Sequence, residues 1–439
     1  SKHLKLTMAS SSIAVAAAES QPSAGGGPRR RRPGLKLLLP LFFSLFLNVF
    51  FASYLFLSFH QPAPGWARYA ATEAETAAAA TGCSGHGRAF VLRGETPVCE
   101  CEACYAGDDC SWPVLDCAVD ADGEDSLFLE PFWKQHAAAS SVVLPGWHSM
   151  NSRNSHRIIS GEIERHIHLL HKAASNAMTD GKFIVFGSRP AELLDALAHA
   201  VSANDDNSTP PNVVEHVTSP NARDGALVKE GDGRSPVIFD RSYYWPHYYP
   251  IAAPADEGIM LFSISKITGH AGIGFWWAAI KDEKIYQRAA EYMSSNAMVV
   301  SPETQLRVLK LIKVMISEKG GGDIFKFGYS SLKARWNQLH KLVATSERFS
   351  LRPFSPNYCS YFKKVRDPTP AYAWLKCEMD EDKDCQAVLR KFGIVSGSGK
   401  LFEGDNRYTR LNLCMANDHF DLLMMRMEAM VSKEWISSS

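Results

Sequence analysis

Residues 37–59 form one uncharged run, Leu37 to Phe59, interrupted only by the mildly polar Pro40, Ser44, Asn48 and a few small residues. About 20 apolar residues suffice to span a bilayer, so the run predicts a membrane helix. Beyond residue 125 the pattern changes to alternating short apolar runs and amphipathic stretches. Ser160 to Met178 places Ile163, Ile167, Leu170 and Ala174 on one helical face. Lys182 to Gly187 is an apolar run bounded by turn residues and predicts a buried strand. A helix is expected over Pro190 to Val201. Further strands are expected over Val213 to Thr218, Pro236 to Asp240 and Gly258 to Ser265. Helices follow over Gln305 to Glu318 and Tyr329 to Ser346. From Ser350 onward, Tyr372 to Cys377, Asp384 to Phe392 and Tyr408 to Met415 alternate on a smaller scale. The expectation is one α/β unit over 125–439, with a large domain to about 349 and a small C-terminal α+β subdomain, 350–439.

The N-terminal segment lacks this order. Residues 1–36 are Ala-, Ser-, Gly- and Arg-rich and are expected to be a disordered tail. Residues 60–81 read as an Ala/Pro-rich stalk. Basic and acidic residues balance at 47 each, yet residues 1–60 hold Lys2, Lys5, Arg29 to Arg32 and Lys36 against the single acid Glu19. Such a distribution gives no nucleic-acid footprint. It reads as a topology signal: tail in the cytosol, 37–59 as a single-pass signal anchor, the rest in the lumen of the endoplasmic reticulum. A cleaved signal peptide is the rival, although its apolar core is usually shorter.

Six of the ten cysteines fall between Cys83 and Cys117, within a Gly-rich module over 82–118. That density fits disulfides in an oxidising compartment. Zinc is the alternative, because Cys101 and Cys104 have ligand spacing. Cys377 and Cys385 flank an acidic loop and can form a further bridge; Cys359 and Cys414 read as buried free thiols. Asn207-Ser-Thr209 is a glycosylation sequon. His166 and His168 are two apart and do not share a helical face, so no metal site is expected.

Chemistry concentrates in two segments. Met260-Leu-Phe-Ser-Ile-Ser-Lys266-Ile-Thr-Gly runs an apolar strand into a lysine and a glycine turn. This presents an amine at the mouth of an α/β sheet, where it can condense with an aldehyde cofactor. Upstream, Val237-Ile-Phe-Asp240 ends a strand in a carboxylate, with Tyr243 three residues later. A pyridinium nitrogen and its ring oxygen need such partners. Together the segments point to pyridoxal 5′-phosphate.

Cys83-Ser-Gly-His-Gly-Arg-Ala-Phe and Pro97-Val-Cys-Glu-Cys-Glu-Ala-Cys104 closely resemble the EGF-like module of plant alliinases. Glu130-Pro-Phe-Trp, Gly181-Lys-Phe-Ile-Val-Phe-Gly187, Tyr243-Tyr-Trp-Pro-His-Tyr248 and Ser265-Lys-Ile-Thr-Gly-His-Ala-Gly272 resemble the alliinase and tryptophan aminotransferase-related proteins. The resemblance covers roughly 82–439. It implies an aspartate-aminotransferase-like fold of type I and a homodimer. It also implies amino-group transfer from an aromatic L-amino acid to a 2-oxo acid, in auxin synthesis, or carbon–sulfur cleavage. By the same resemblance, Lys266 is the Schiff-base lysine and proton carrier. Asp240 faces the pyridine nitrogen, Tyr243 the ring oxygen and Ser263 the phosphate, while Arg410 clamps the substrate carboxylate.

The chain departs from that pattern where the phosphate is held. The family's Gly-x-Gly-Ser-Thr-Gln stands here as Gly187-Ser-Arg-Pro-Ala-Glu192. Ala222 replaces an Asn, and Gly274 an Arg. A family segment carrying a ring-stacking aromatic is missing between Val201 and Val213. Each charged hydrogen bond lost costs about 1.5–3 kcal/mol. Weak cofactor binding, in a diverged paralogue or a chain lacking one segment, is therefore expected.

Overall fold

Leu35–Phe59 (α1) is helical, as its apolar run predicts. It belongs to a first unit, Ser1–Pro64, distinct from a second, Gly65–Ser439. The computed structural model describes residues 35–59, 65–66, 68–70, 72–73, 83–90, 98–114, 116–148, 150, 156–202, 214–228, 235–296, 300–317, 323–402 and 404–437. The 1–34 part of the expected tail and the Asn207 sequon lie outside them.

The expected membrane anchor is overturned. Among the described residues no helix is long and apolar enough to cross a membrane. Within α1, Asn48 turns its amide back to the Ser44 carbonyl at 2.8 Å. The single-pass lumenal placement rested on that anchor and falls with it.

In the second unit the cysteine module is a two-stranded ribbon, Gly87–Phe90 (β1) against Val98–Cys101 (β2). Disulfides Cys83–Cys99, Cys101–Cys110 and Cys104–Cys117 staple it, so its sulfurs are not zinc thiolates. Cys377–Cys385 closes the acidic loop, and Cys359 and Cys414 are buried and free. The chain then passes through Val119–Asp120 (β3) and Glu130–Gln135 (α2).

A mixed five-stranded sheet forms the large domain. Its strands are Phe183–Gly187 (β4), Glu215–Thr218 (β5), Val237–Asp240 (β6), Ile259–Ser263 (β7) and Trp276–Ile280 (β8), in the order β4-β8-β7-β6-β5. β5, β6 and β7 are parallel, and β8 runs antiparallel to β4 and β7. Every residue of β7 is buried, which requires cover on both faces. Period-two alternation divides that cover. Ile259 and Leu261 join Leu193, Leu197 and Met293 on one face, beneath Pro190–Ser202 (α4) and Glu283–Ser295 (α6). Met260 and Phe262 face the other way, toward Ile163, Ile167 and Leu170. Those three sit on His156–Ala174 (α3), which packs with Pro302–Ile316 (α7). Phe262 and Trp277 stack there at 5.7 Å.

Ile324–Val343 (α8) leads into the small subdomain. Its antiparallel sheet follows the order Phe349–Leu351 (β9), Tyr372–Cys377 (β10), Tyr408–Asn412 (β12) and Gly397–Ser398 (β11). The helix Asn417–Ser437 closes the chain. Val119 pairs with Ile394 in parallel, so residues 119–125 cross onto this subdomain. That crossing carries Asp122 and Glu124 to the site described next.

Candidate functional site

β7 stops at Ser263, two residues short of the expected strand, because the Ser263 hydroxyl caps a short helix. It accepts from the Ser265 N–H at 3.2 Å and lies 2.6 Å from the Ser265 hydroxyl. Lys266 therefore sits inside a one-turn helix, Ile264–Thr268 (α5), rather than at a strand end. Distant partners fix that turn. The Lys266 carbonyl accepts from the Tyr248 hydroxyl at 2.9 Å, and His247 Nε2 lies 3.3 Å from it. Trp133 Nε1 donates to the Thr268 carbonyl at 2.6 Å. Gly269 ends the turn at φ 84°, where a Cβ would stand 2.7 Å from the Ser126 carbonyl oxygen.

The Lys266 ammonium is buried to 8 % exposure. It reaches the Glu124 carbonyl at 3.5 Å and the Glu124 carboxylate at 3.7 Å, and lies 5.4 Å above the Tyr243 ring. Asp240 closes β6 beside it and accepts from the Ser242 N–H at 2.8 Å. Burial raises the Asp240 carboxyl above the usual range; the Ser242 hydrogen bonds and the Lys266 charge oppose that shift. The Tyr243 hydroxyl donates to that of Tyr372 at 3.3 Å. Burial drives both phenols well above their ordinary pKa, so each stays protonated.

Arg410 lies opposite Trp374 in the small sheet and is 3 % exposed. Its guanidinium is 4.0 Å from the Tyr372 ring and 3.8 Å from that of Phe402. Its polar contacts are long: 3.4 Å to the Ala222 and Asp122 carbonyls and 3.6 Å to the Asp122 carboxylate. Its Nε is buried without a partner. A buried guanidinium held this loosely retains capacity for a carboxylate. The structure thus joins Lys266, Tyr243 and Arg410 through Tyr372, with Asp240 near Lys266. Tyr372, Asp122 and Glu124 escaped the sequence reading, because only the sheet register and the β3 crossing bring them here.

Strand register also aligns Gly187, Trp276 and Ser263 in one row. The resemblance expects the phosphate near Ser263 and Gly274, and the side chains there offer few donors. Ser263 is fully buried, and its hydroxyl is engaged with Ser265. Pro190 opens α4 without an N–H, and Ala191 has no hydroxyl. The Glu192 carboxylate accepts from the Ser188 hydroxyl at 2.6 Å. Arg189 is 77 % exposed and turns toward that same carboxylate at 3.8 Å. Gly274, at φ 61°, leaves its absent Cβ 3.0 Å from the Ser188 carbonyl. The amine and ring partners fit pyridoxal phosphate; the phosphate end does not. No reaction step is derived through that group.

The chain is similar to known proteins over most of its length. The alliinase family model matches residues 119–216 and 203–431, and the alliinase EGF-like domain matches 65–117. The first match divides where a family segment was expected to be missing. Tryptophan aminotransferase-related protein 4 of Arabidopsis thaliana is 40% identical over 91% of this chain and 97% of its own length. Tryptophan aminotransferase-related protein 3 of the same plant is 42% identical, over 89% and 96%. Alliin lyase of Allium cepa var. aggregatum is 39% identical, over 83% and 94%. A PLP-dependent aminotransferase structure from Streptococcus suis overlaps with a TM-score of 0.49 at 13% identity, over 72% of this chain and 94% of that one. The chain belongs to the alliinase family, whose members include the tryptophan aminotransferase-related proteins and the alliin lyases.

Proposed function

We propose that the site binds an L-amino acid, its carboxylate on Arg410 and its amino group toward Lys266. The carrying observation is the linked set Lys266, Tyr243, Tyr372 and Arg410, whose successive contacts are 5.4, 3.3 and 4.0 Å. Its aromatic walls suit an aromatic side chain. The names of the two Arabidopsis relatives favour tryptophan as amino donor. Amino-group transfer to a 2-oxo acid such as pyruvate, within auxin synthesis and as a homodimer, is the reading this supports.

A second reading is carbon–sulfur cleavage, favoured by the alliin lyase relatives; it needs the same removal of the Cα proton. A third is a non-catalytic family member that pairs with intact ones, favoured by the closed phosphate end. One set of incubations separates them. Tryptophan plus pyruvate yielding indole-3-pyruvate supports transfer. A cysteine sulfoxide alone yielding pyruvate and ammonia supports cleavage. Neither product, with retained tryptophan binding, supports the third. In calorimetry, Arg410→Gln should weaken tryptophan about 100-fold, roughly two charged hydrogen bonds. Unchanged affinity would remove Arg410 from the site and the proposed pose with it.

A further inference from the structure

Glu192 and Lys266 place opposite demands on one ligand. Around Lys266 the polar groups suit a pyridine aldehyde: a buried amine, the Asp240 carboxyl and the protonated Tyr243 phenol. Beside Gly187, at one end of the row Gly187–Trp276–Ser263, the Ser188 hydroxyl donates to the Glu192 carboxylate. We propose that this site selects against the phosphate ester and takes an unphosphorylated pyridine aldehyde at least as readily as pyridoxal phosphate. The inference rests on Lys266 being the carbonyl-reactive lysine of the functional reading above.

The argument is one of satisfied groups. An anion site needs N–H or O–H donors left unspent. Here the Ser188 hydroxyl is spent on Glu192, while the Ser263 and Ser265 hydroxyls share one hydrogen bond and keep one O–H between them. Arg189, 77 % exposed and 3.8 Å from the Glu192 carboxylate, is screened by solvent, so it offsets little of that charge or of a phosphate's. Gly274 cannot regain a side chain cheaply, because its φ is positive and the Ser188 carbonyl stands 3.0 Å from the Cβ position. A phosphate dianion drawn to Ser188 would meet the Glu192 carboxylate that the Ser188 hydroxyl already serves. A hydroxymethyl group carries no charge and suffers no such repulsion.

Binding is a balanced condensation. The Lys266 ammonium first gives a proton to solvent; its amine adds to the aldehyde carbon, the resulting hydroxyl leaves as water, and a C=N bond replaces C=O. No oxidant or reductant takes part.

The test titrates the full chain separately with pyridoxal and with pyridoxal phosphate, following the yellow imine band. Lys266→Ala is the control and should abolish the band with both aldehydes. Pyridoxal should saturate at a concentration equal to or below that of the phosphate ester. Glu192→Gln should tighten the phosphate ester by about tenfold or more and leave pyridoxal nearly unchanged; Glu192→Ser should do the same. A wild-type preference for the phosphate ester of about tenfold or more overturns the proposal. So does an affinity ratio that neither Glu192 variant moves. No band with either aldehyde, or a band that survives Lys266→Ala, overturns the proposal and the functional reading together.

Discussion

The two ends of the site differ in where their polar groups find partners. At the amine end the partners are distant in sequence. Tyr248 and His247 hold the Lys266 carbonyl, Trp133 holds Thr268, and Arg410 rests between Tyr372 and Phe402. That end keeps an unpartnered buried Nε on Arg410. At the phosphate end the partners are near neighbours: Ser188 with Glu192, Arg189 with Glu192, Ser263 with Ser265. Tertiary packing fixes the first end while leaving capacity for a ligand. Local pairing takes up side-chain donors at the second end and lowers its demand for one. A fold can therefore retain half of an inherited site when that half is also structural.

The largest test of this contrast uses the two tight glycines. Gly269 combines φ 84° with a Cβ position 2.7 Å from the Ser126 carbonyl. Neither backbone can yield easily, because α2, Ser126 and α5 are locked together. Gly269→Ala should cost about 3 kcal/mol, at the upper end for a strained left-handed position. Gly274→Ala meets Ser188 at 3.0 Å with φ 61° and should cost only about 1–2 kcal/mol. Urea unfolding of both variants measures the difference. Equal costs, or the reverse order, would break the claim that the amine end is the rigid one.

The same contrast governs what the sequence reveals. Ile163, Ile167, Leu170 and Ala174 declare their helix by spacing, and all are fully buried in α3. Lys266, Asp240, Tyr243 and Arg410 are visible because strand endings and short motifs carry them. The end of β7 was read too late, since apolar pattern alone does not show that Ser263 caps a helix. β8 was not expected as a strand: Trp276 and Trp277 look apolar in isolation, and their strand is defined only by pairing with β4 and β7. The helix α6, capped by Asp282 accepting from Ile285 N–H at 3.0 Å, was missed because polar neighbours mask its short apolar stripe of Ile285, Ala289 and Met293. Hydrophobicity likewise overreached at α1, where an apolar run was taken for a membrane span. Glu192 had a local signal, the spacing of four from Ser188 on a helix start. Its consequence depends on register, which no local pattern contains.

Acid should sharpen the comparison next. His171 lies beneath the sheet with both ring nitrogens engaged: Nδ1 faces Asn176 Oδ1 at 2.9 Å, and Nε2 accepts from Trp277 Nε1 at 3.0 Å. Only the neutral ring satisfies both. Burial lowers its pKa from 6.5 to about 3, and burial lowers that of His247, at the amine end, also to about 3. A depressed folded pKa means that the unfolded chain binds more protons between these values. Stability is then full above 6.5 and falls as pH drops toward 3, by about 1.4 kcal/mol per pH unit for each histidine. Denaturant midpoints across that window should show the slope. His171→Gln should flatten it by about one histidine's share, whereas Glu192→Gln should leave it in place. A slope that His171→Gln does not change would mean that other groups set the acid limit.

The smallest effect separates stability from ligand choice at Glu192 itself. Its carboxylate lies in the first turn of α4, where the helix dipole favours negative charge. It is also the acceptor for Ser188, and a glutamine carbonyl can accept in the same place. Glu192→Gln therefore loses the charge and keeps the hydrogen bond, so unfolding free energy should fall by only about 0.5 kcal/mol. The same change should improve binding of a phosphate-bearing aldehyde. Opposite signs in the two measurements are what a locally satisfied, charge-closed end requires. If the variant instead lost about 2 kcal/mol or more, Glu192 would be a structural keystone. The phosphate end would then be as deeply built into the fold as the amine end, and the difference between them would disappear.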